Sequence, residues 1–488
     1  MKKILLFTIL PFIGFGQTQI GSDIDGEAAG DQSGRSVSLS ADGSTVAIGA
    51  YLNDGNGANS GHVRVYKNIA GTWTQIGSDI NGETAGDNSG YSISLSTDGS
   101  TVAIGAYLND GNGVNSGHVR VYKNIAGTWT QIGSDINGEA ANDNSGWSVS
   151  LSTDGSTVAI GTPNNDGNGV TSGHVRVYKN VTNVWTQIGS DINGESVGDG
   201  SGWSVSLSAD GSTVAIGAFF NDGNGTDSGH VRVYKNIADV WTQIGADIDG
   251  EAAGNRSGWS VSLSADGSTV AIGAYLNDGN GTDSGHVRVY KNIADVWTQI
   301  GDDIDGEAVG DESGYSVSLS TNGSVIAIGA YRNDGSASNS GHVRVYQNVV
   351  GVWTQIGSDI NGEAANDNSG WSVSLSADGS TVAIGALSND ENGTDSGHVR
   401  VYDLSSVLSL NSFIQSNFSV YPNPTSERLT IDLENNLILE KVNIYNTLGQ
   451  ITKTESNTTI DVSKLQKGTY FVEVITNQGK ATKSIIVN

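Results

Sequence analysis

The hexapeptide GHVRVY occurs seven times along the chain at a constant spacing of 56 residues. No insertion or deletion interrupts the series, so the chain between the first and last copies is built from equivalent units. Such a unit buries its apolar face only by packing against its neighbours, and the repeat therefore determines the architecture. The hexapeptide histidines are His62, His118, His174, His230, His286, His342 and His398.

Each copy contains four segments with the alternating pattern of β-strands. In the second copy they span residues 90–96, 100–106, 117–123 and 128–136. The links at 97–99 and 124–127 are short and contain Gly, Asn or Asp, which suits tight turns between antiparallel strands. The chain has 68 glycines and no cysteine, which fits an all-β fold without disulfides. Each copy is therefore predicted to form a four-stranded antiparallel sheet.

The two ends of the repeat region complement one another. The seventh copy stops after its third strand at residues 397–402, and the chain before the first copy contains a fourth strand, TQIGSDI, at residues 18–24. Pairing these two segments closes a ring and leaves no unpaired sheet edge at the junction. Seven four-stranded sheets arranged radially make a β-propeller. Residues 17–403 are therefore predicted to form a seven-bladed β-propeller closed by the N-terminal strand.

The repeat resembles a known family. Its first strand begins SGxSV, its second ends AIGA and its third reads GxVRVY, which is similar to the FG-GAP repeats of integrin-α-type propellers over roughly residues 18–403. Integrin-type repeats often hold calcium in a long acidic loop between the first two strands, whereas this chain has only a tight turn there, at residues 209–211 for example. The resemblance therefore implies the propeller and not that calcium site. The Phe of the family name is replaced here by Ser89, Ser145 and Ser201.

Residues 1–16 have the pattern of a secretory signal peptide. Lys2 and Lys3 precede an apolar run at residues 4–15, and the small residue Gly16 follows it. The run is too short to span a bilayer, and no later segment approaches about 18 consecutive apolar residues. We expect a secreted or outer-membrane cell-surface protein with no transmembrane segment.

A separate domain follows the repeats. A polar linker is predicted at residues 404–415, and residues 416–488 carry short alternating strands that are typical of a small Ig-like β-sandwich. This tail resembles the type A sorting domain of the type IX (Por) secretion system. The resemblance implies export across the outer membrane and a partner in the type IX secretion machinery. The residues that carry it include Tyr421, Pro422, Asn423, Pro424, Gly449, Gly468 and Tyr470.

The acidic charge of the chain is concentrated in the repeats. Between the signal peptide and Phe413 there are 15 basic and 45 acidic residues, and the whole chain has a net charge of -28. Such a field repels phosphate backbones and anionic lipid surfaces and attracts cations and basic partners. Nucleic acid is therefore not expected as a partner. We expect the protein to act as a monomer.

One loop aspartate is the same in all seven copies. It lies between the second and third strands, on the face of the propeller that carries the long loops. Carboxylates, Asn and backbone carbonyls in Gly-rich loops are ligands that calcium prefers, so these residues are candidate calcium ligands. The alternative is a solvated turn in which each Asp accepts hydrogen bonds from the backbone of its own loop. Apart from calcium, no cofactor is expected. The residues are Asp54, Asp110, Asp166, Asp222, Asp278, Asp334 and Asp390.

One position at the start of the first strand varies while its neighbours stay fixed. It holds Arg35 in the first copy, and a fully buried position would hardly accept arginine. We expect a partly exposed aromatic ring near the innermost strands that stacks on sugar or peptide faces; packing between neighbouring blades is the alternative. The aromatic residues, which are the candidate ligand-binding residues, are Tyr91, Trp147, Trp203, Trp259, Tyr315 and Trp371.

Sevenfold repetition provides no unique set of nucleophile, base and orienting residue, so we do not expect an enzyme. The seven histidines occupy equivalent points and cannot converge on one ion; we expect them to form hydrogen bonds between blades. The sequence predicts a secreted or cell-surface propeller that functions in binding or adhesion, with an extracellular glycan or protein as ligand. The alternatives are an extracellular carbohydrate-active enzyme with paired carboxylates, and a purely structural surface protein.

Overall fold

The structure is a computed structural model that describes residues 16–349, 351–408, 417–435, 437–447, 450–477 and 479–488. Seven antiparallel sheets are formed by the repeats, and two further sheets are formed by the C-terminal residues. The predicted signal peptide lies outside the described residues except for Gly16. Within the described residues, no helix is long and apolar enough to cross a membrane.

The two inner strands of each blade form a tight antiparallel hairpin. The Asp of the connecting turn, which is Asn322 in the sixth blade, accepts hydrogen bonds from the Ser two residues later, as Asp42 does from the Ser44 backbone at 3.0 Å. The innermost strands are Ser36–Leu39, Ser92–Leu95, Ser148–Leu151, Ser204–Leu207, Ser260–Leu263, Ser316–Leu319 and Ser372–Leu375. The second strands are Thr45–Ala50, Thr101–Ala106, Thr157–Thr162, Thr213–Ala218, Thr269–Ala274, Val325–Ala330 and Thr381–Ala386.

The third strand of each blade pairs with the second strand on one side and with two shorter strands on the other. The third strands are His62–Ile69, His118–Ile125, His174–Val181, His230–Ile237, His286–Ile293, His342–Val349 and His398–Asp403. The outer strands are Thr18–Gln19, Thr72–Gln75, Thr128–Gln131, Val184–Gln187, Val240–Gln243, Val296–Gln299 and Val352–Gln355. The last short strands are Ile24–Asp25, Ile80–Asn81, Ile136–Asn137, Ile192–Asn193, Ile248–Asp249, Ile304–Asp305 and Ile360–Asn361.

The predicted fourth strand is thus split in two. In the second copy the split falls near Gly133, whose φ of 75° lies in the left-handed region that glycine adopts readily. The two halves still pair with one strand: Tyr122 faces Gln131, and His118 faces Asn137. The four-stranded blade predicted from the sequence is confirmed in this form.

The cores lie between adjacent blades. Every second strand is buried along its whole length, with large aliphatic residues on one face and small ones on the other. Ala47, Val63 and Val65 of the first blade therefore pack against Leu95, Val102 and Ile104 of the second. Close approach of the sheets also requires glycine: a Cβ on Gly217 would clash with the Gly258 carbonyl of the next blade.

The ring closes as the sequence predicts. Thr18 pairs with Asp403 and Ile24 pairs with Val399, so the N-terminal strands complete the last blade. At the inner turns, the backbone of each blade donates to the equivalent carbonyl of the next at 2.8–3.0 Å, and Ala377 donates to Ala41 to complete the circle. The seven-bladed propeller is therefore continuous around its axis.

The segment after the last blade begins against the propeller. Residues 405–408 form one helical turn, and Leu404 and Val407 are buried in the same apolar cluster as Val345 and Leu375. The rest of the predicted linker, residues 409–415, lies outside the described residues.

The C-terminal residues form a β-sandwich of a three-stranded and a four-stranded sheet. Its core includes Phe418, Leu429, Val442, Val472 and Ile485, all at most 2% exposed. The three-stranded sheet contains Phe418–Tyr421, Arg428–Leu433 and Thr459–Asp461. The four-stranded sheet contains Leu439–Tyr445, Ile451–Glu455, Gly468–Thr476 and Gly479–Val487.

Candidate binding site at the propeller axis

The varying position at the start of the innermost strand forms a closed collar around the propeller axis. Centroids of neighbouring aromatic rings lie 4.4–5.2 Å apart. The Arg35 guanidinium closes the circle, 3.9 Å from the Tyr91 centroid and 5.6 Å from that of Trp371. Every member contacts both neighbours and is half-buried. The collar consists of Arg35, Tyr91, Trp147, Trp203, Trp259, Tyr315 and Trp371.

Local backbone geometry orients the collar. The glycine before each member has φ between 85° and 90°, a left-handed turn that favours glycine. The serine after each member donates a hydrogen bond from its hydroxyl to the equivalent glycine carbonyl of the next blade, as Ser36 does to Gly90 at 2.8 Å. The last such bond runs from Ser372 to Gly34. The collar side chains are therefore held by the same contacts that join the blades.

A second tier of aromatic rings packs on the collar. Each ring follows the end of a second strand and straddles two collar members: the Tyr107 centroid lies 4.4 Å from that of Tyr91 and 5.0 Å from that of Trp147. Burial raises the pKa of Tyr107 to about 12, so this hydroxyl stays protonated at neutral pH. The sequence analysis missed this tier, although it also varies between copies. Its aromatic members are Tyr51, Tyr107, Phe219, Tyr275 and Tyr331.

The collar lines a cavity of about 540 Å³ on the propeller axis. Serine and aliphatic residues of the innermost strands line the remaining wall. Among the described residues that line the cavity, Arg35 is the one charged side chain. Aromatic faces with a few polar groups suit a ligand that has apolar faces and polar edges, and the volume is in the ordinary range of ligand sites.

The seven loop aspartates lie far apart on separate blades and are exposed. The Asp54 carboxylate accepts a hydrogen bond from the Asn59 backbone at 2.7 Å, and the other six make the same contact at 2.7–2.9 Å. Each Asp therefore caps its own loop, as the solvated-turn interpretation expects. Calcium binding by these loops stays a prediction, which thermal unfolding with calcium and then with a chelator would test.

The sequence analysis expected the seven histidines to form polar contacts between blades, but it did not identify the Glu and Arg residues that lie beside them. Glu139 of the second blade lies 3.9 Å from His174 and 3.4 Å from Arg176 of the third, each distance joining a carboxylate oxygen to a side-chain nitrogen. Arg176 also donates to the Asn137 carbonyl at 2.8 Å. Asp191 lies 3.8 Å from His174, so these groups are close enough to surround an ion. However, Arg176 already neutralises Glu139, and all seven junctions contain this Glu, His and Arg.

The sorting-motif residues occupy two places in the sandwich. Asn423 accepts a hydrogen bond from the Ile486 backbone at 2.8 Å and donates to the Ser484 carbonyl at 3.0 Å, which ties the motif to the last strand. Tyr470 is buried, and its hydroxyl donates to the Gln466 carbonyl at 2.9 Å. Gly449 lies outside the described residues. The exposed members are Tyr421, Pro422, Asn423, Pro424 and Gly468.

Two family models match the chain. The FG-GAP repeat model matches residues 23–66, 81–122, 137–178, 247–290 and 361–402, and the secretion system C-terminal sorting domain model matches residues 419–488. No curated protein matches the chain.

Two solved structures are similar to this chain at low sequence identity. A putative 6-phosphogluconolactonase from Bacteroides uniformis is 13% identical with a TM-score of 0.48, covering 67% of this chain and 85% of its own. The periplasmic gluconolactonase PpgL from Pseudomonas aeruginosa is 17% identical with a TM-score of 0.46, covering 66% and 84%.

Seven radial sheets closed by an N-terminal strand, followed by a small sandwich, define a β-propeller protein with a C-terminal β-sandwich domain. Five of its seven repeats match the FG-GAP repeat model, and its C-terminal residues match a secretion system C-terminal sorting domain. The sorting domain indicates interaction with the type IX secretion machinery and export to the cell surface or the extracellular space.

Proposed function

We propose that this propeller acts outside the cell as a monomeric binding protein and that a glycan docks on its collar. The observation that carries the proposal is the circle of six aromatic rings at a 540 Å³ axial cavity. Sugar rings present CH-rich faces that stack on indole and phenol rings, while their hydroxyl edges need polar partners. The collar offers both kinds of group, since Tyr and Arg side chains interrupt the indoles.

Binding without catalysis is favoured by the chemistry of the wall. Hydrolysis of a glycosidic bond ordinarily needs two carboxyl groups on either side of the bond. Among the described residues that line the cavity there is no Asp, Glu or His. The carboxylates of the long loops cap their own turns or pair with Arg between blades. The collar therefore supplies stacking surface and donors, and we propose no reaction there.

Isothermal titration of the full-length secreted protein with glycans selected from an array tests the proposal. We expect Trp203→Leu to abolish measurable binding, because the indole lines the cavity between two tilted aromatic neighbours and its loss removes the middle of that aromatic surface. The matched control is Trp241→Leu on an outer strand, where the indole donates to the Ile188 carbonyl at 2.8 Å. This control should lower the melting temperature and leave affinity unchanged. Equal glycan affinity in wild type and Trp203→Leu would exclude the collar as the binding site.

A further inference from the structure

Three basic residues of the propeller break the repeat. Of its 15 basic residues, seven are the Arg of GHVRVY and five are the Lys that follows this motif. The remaining three occupy positions that hold aromatic, amide, aliphatic or other uncharged residues in most other copies. They are Arg35, Arg256 and Arg332.

All three lie at the collar. Arg35 is a member of it. Arg256 donates to the Tyr275 hydroxyl at 2.8 Å, and the Tyr275 ring lies 4.5 Å from the collar residue Trp259. The Arg332 guanidinium lies 5.3 Å from the Tyr331 ring centroid. Tyr331 in turn lies 4.3 Å from the collar residue Tyr315, so each guanidinium is within one aromatic ring of the collar.

The residue that precedes Arg256 also departs from the repeat, and the change removes a negative charge. Six copies have Asp immediately before the position of Arg256, and the fifth copy has Asn255. The fifth copy therefore loses an acid beside the base that it gains. The opposing acid is Glu312, which is 4% exposed and pairs with Arg332 at 2.8 Å. Arg35 is the one charged side chain among the described residues of the cavity lining, so the wall that a ligand touches carries positive charge in a strongly acidic protein.

We propose that the ligand of the collar is an anionic sugar, carrying a carboxylate or a sulfate group. This inference rests on the proposed glycan binding and adds the charge of the ligand. Guanidinium groups match the planar geometry of carboxylates and bind sulfate oxygens with paired hydrogen bonds. The aromatic rings hold the sugar face, and an Arg at the collar takes the anionic group. The acidic outer loops repel the same ligand, so the positive charge at the axis directs it inward.

The test compares sugars that differ only in charge. Hexagalacturonate and its methyl ester are titrated into the full-length protein, with a sulfated galactan hexasaccharide and its desulfated form as a second pair. We expect the charged member of one pair to bind at least about 10-fold more tightly than its neutral partner, because a charge-assisted hydrogen bond is lost with the charge. The pair that shows the difference identifies carboxylate or sulfate.

Variants assign the effect to the collar. Arg256→Gln should reduce the affinity for the charged sugar by about 10-fold and leave the affinity for the neutral sugar unchanged. Arg35→Gln changes a residue of the collar itself, so it should weaken binding of both sugars, and binding of the charged sugar by about 10-fold more than that of the neutral one. Arg35→Lys keeps the positive charge and should retain part of the preference for the charged sugar. This variant therefore separates the loss of charge from a loss of folding. The control is Lys235→Gln on an exposed third-strand position, which should change neither affinity. Equal affinity for charged and neutral sugars overturns the inference and leaves glycan binding standing; binding of no glycan overturns the proposed function itself.

Discussion

The buried histidines between blades make this propeller sensitive to acid. His174 is 1% exposed and sits on the third strand of its blade. Burial and the nearby Arg176 guanidinium lower the pKa of His174 from 6.5 to about 4, against the opposing influence of Asp191. The imidazole is therefore neutral in the folded protein throughout the neutral range.

The direction of the pH dependence follows from this difference. Above pH 6.5 both the folded and the unfolded states carry a neutral His174, and the group contributes no pH dependence. As the pH falls below 6.5, the unfolded chain binds the proton first, so the free energy of unfolding decreases until the folded state is also protonated near pH 4. A pKa lowered from 6.5 to about 4 corresponds to about 3 kcal/mol of stability in full, and most of this is lost by pH 4.5.

His174→Asn removes the titrating group while keeping a polar side chain. At pH 7.5 the histidine is neutral in both the folded and the unfolded state, so the loss of stability in the variant measures lost packing alone. At pH 4.5 the variant escapes the protonation of the unfolded state, so its stability relative to wild type should improve by most of that amount, about 2–3 kcal/mol. Urea unfolding at both pH values measures this change. The control is Val177→Ala, a buried and non-titrating site on the same strand, whose destabilisation should be equal at the two pH values. A His174→Asn destabilisation that is the same at both pH values would refute the lowered pKa.

Three further predictions concern the ring and its tail. Gly217→Ala should lower the free energy of unfolding by at least about 2 kcal/mol in urea, because the new Cβ clashes with the next blade's backbone; wild-type stability would refute this packing. Deletion of residues 17–25 should lower the free energy of unfolding by at least about 3 kcal/mol, because Ile24 is lost from the core. It should also cause self-association in gel filtration, because the strand that contains Val399 loses its partner and becomes an open sheet edge. A monomer of unchanged stability would show that ring closure is dispensable. Deletion of residues 417–488 should retain the propeller in the periplasm on cell fractionation, and undiminished export would contradict the role of the sorting domain.

The fold could be predicted from the sequence because the repeat has no gaps. A constant spacing assigns every turn to the same place, and the unmatched strands at residues 18–24 and 397–402 leave one way to close the ring. The division of the outer strand could not be predicted, because a two-residue pairing such as Ile136–Asn137 is too short to give an alternating pattern.

The candidate site could be predicted only in part. The collar was found because its position varies between copies, and Arg35 indicated that this position is not fully buried. The second tier escaped notice although Tyr107 and its equivalents vary in the same way. The contacts of Glu139 with His174 could not be seen, because they join residues 35 positions apart on different blades and depend on how the sheets are packed. The periodicity of the sequence predicts the strands of one blade, whereas these contacts depend on how two neighbouring blades are placed against each other.

The division between constant and varying residues also bears on function. The constant residues form the junctions: glycine allows the sheets to approach, and Glu, His and Arg join each blade to the next. A ring of seven identical contacts would bind an asymmetric ligand equally well in seven orientations, so it cannot select a single pose. Specific recognition therefore requires positions at which the copies differ. In this propeller, the collar, the tier above it and the equivalent loops that hold Arg256 and Glu312 in successive copies differ between copies and lie near the axis. Any ligand that is bound in one orientation is accordingly expected there.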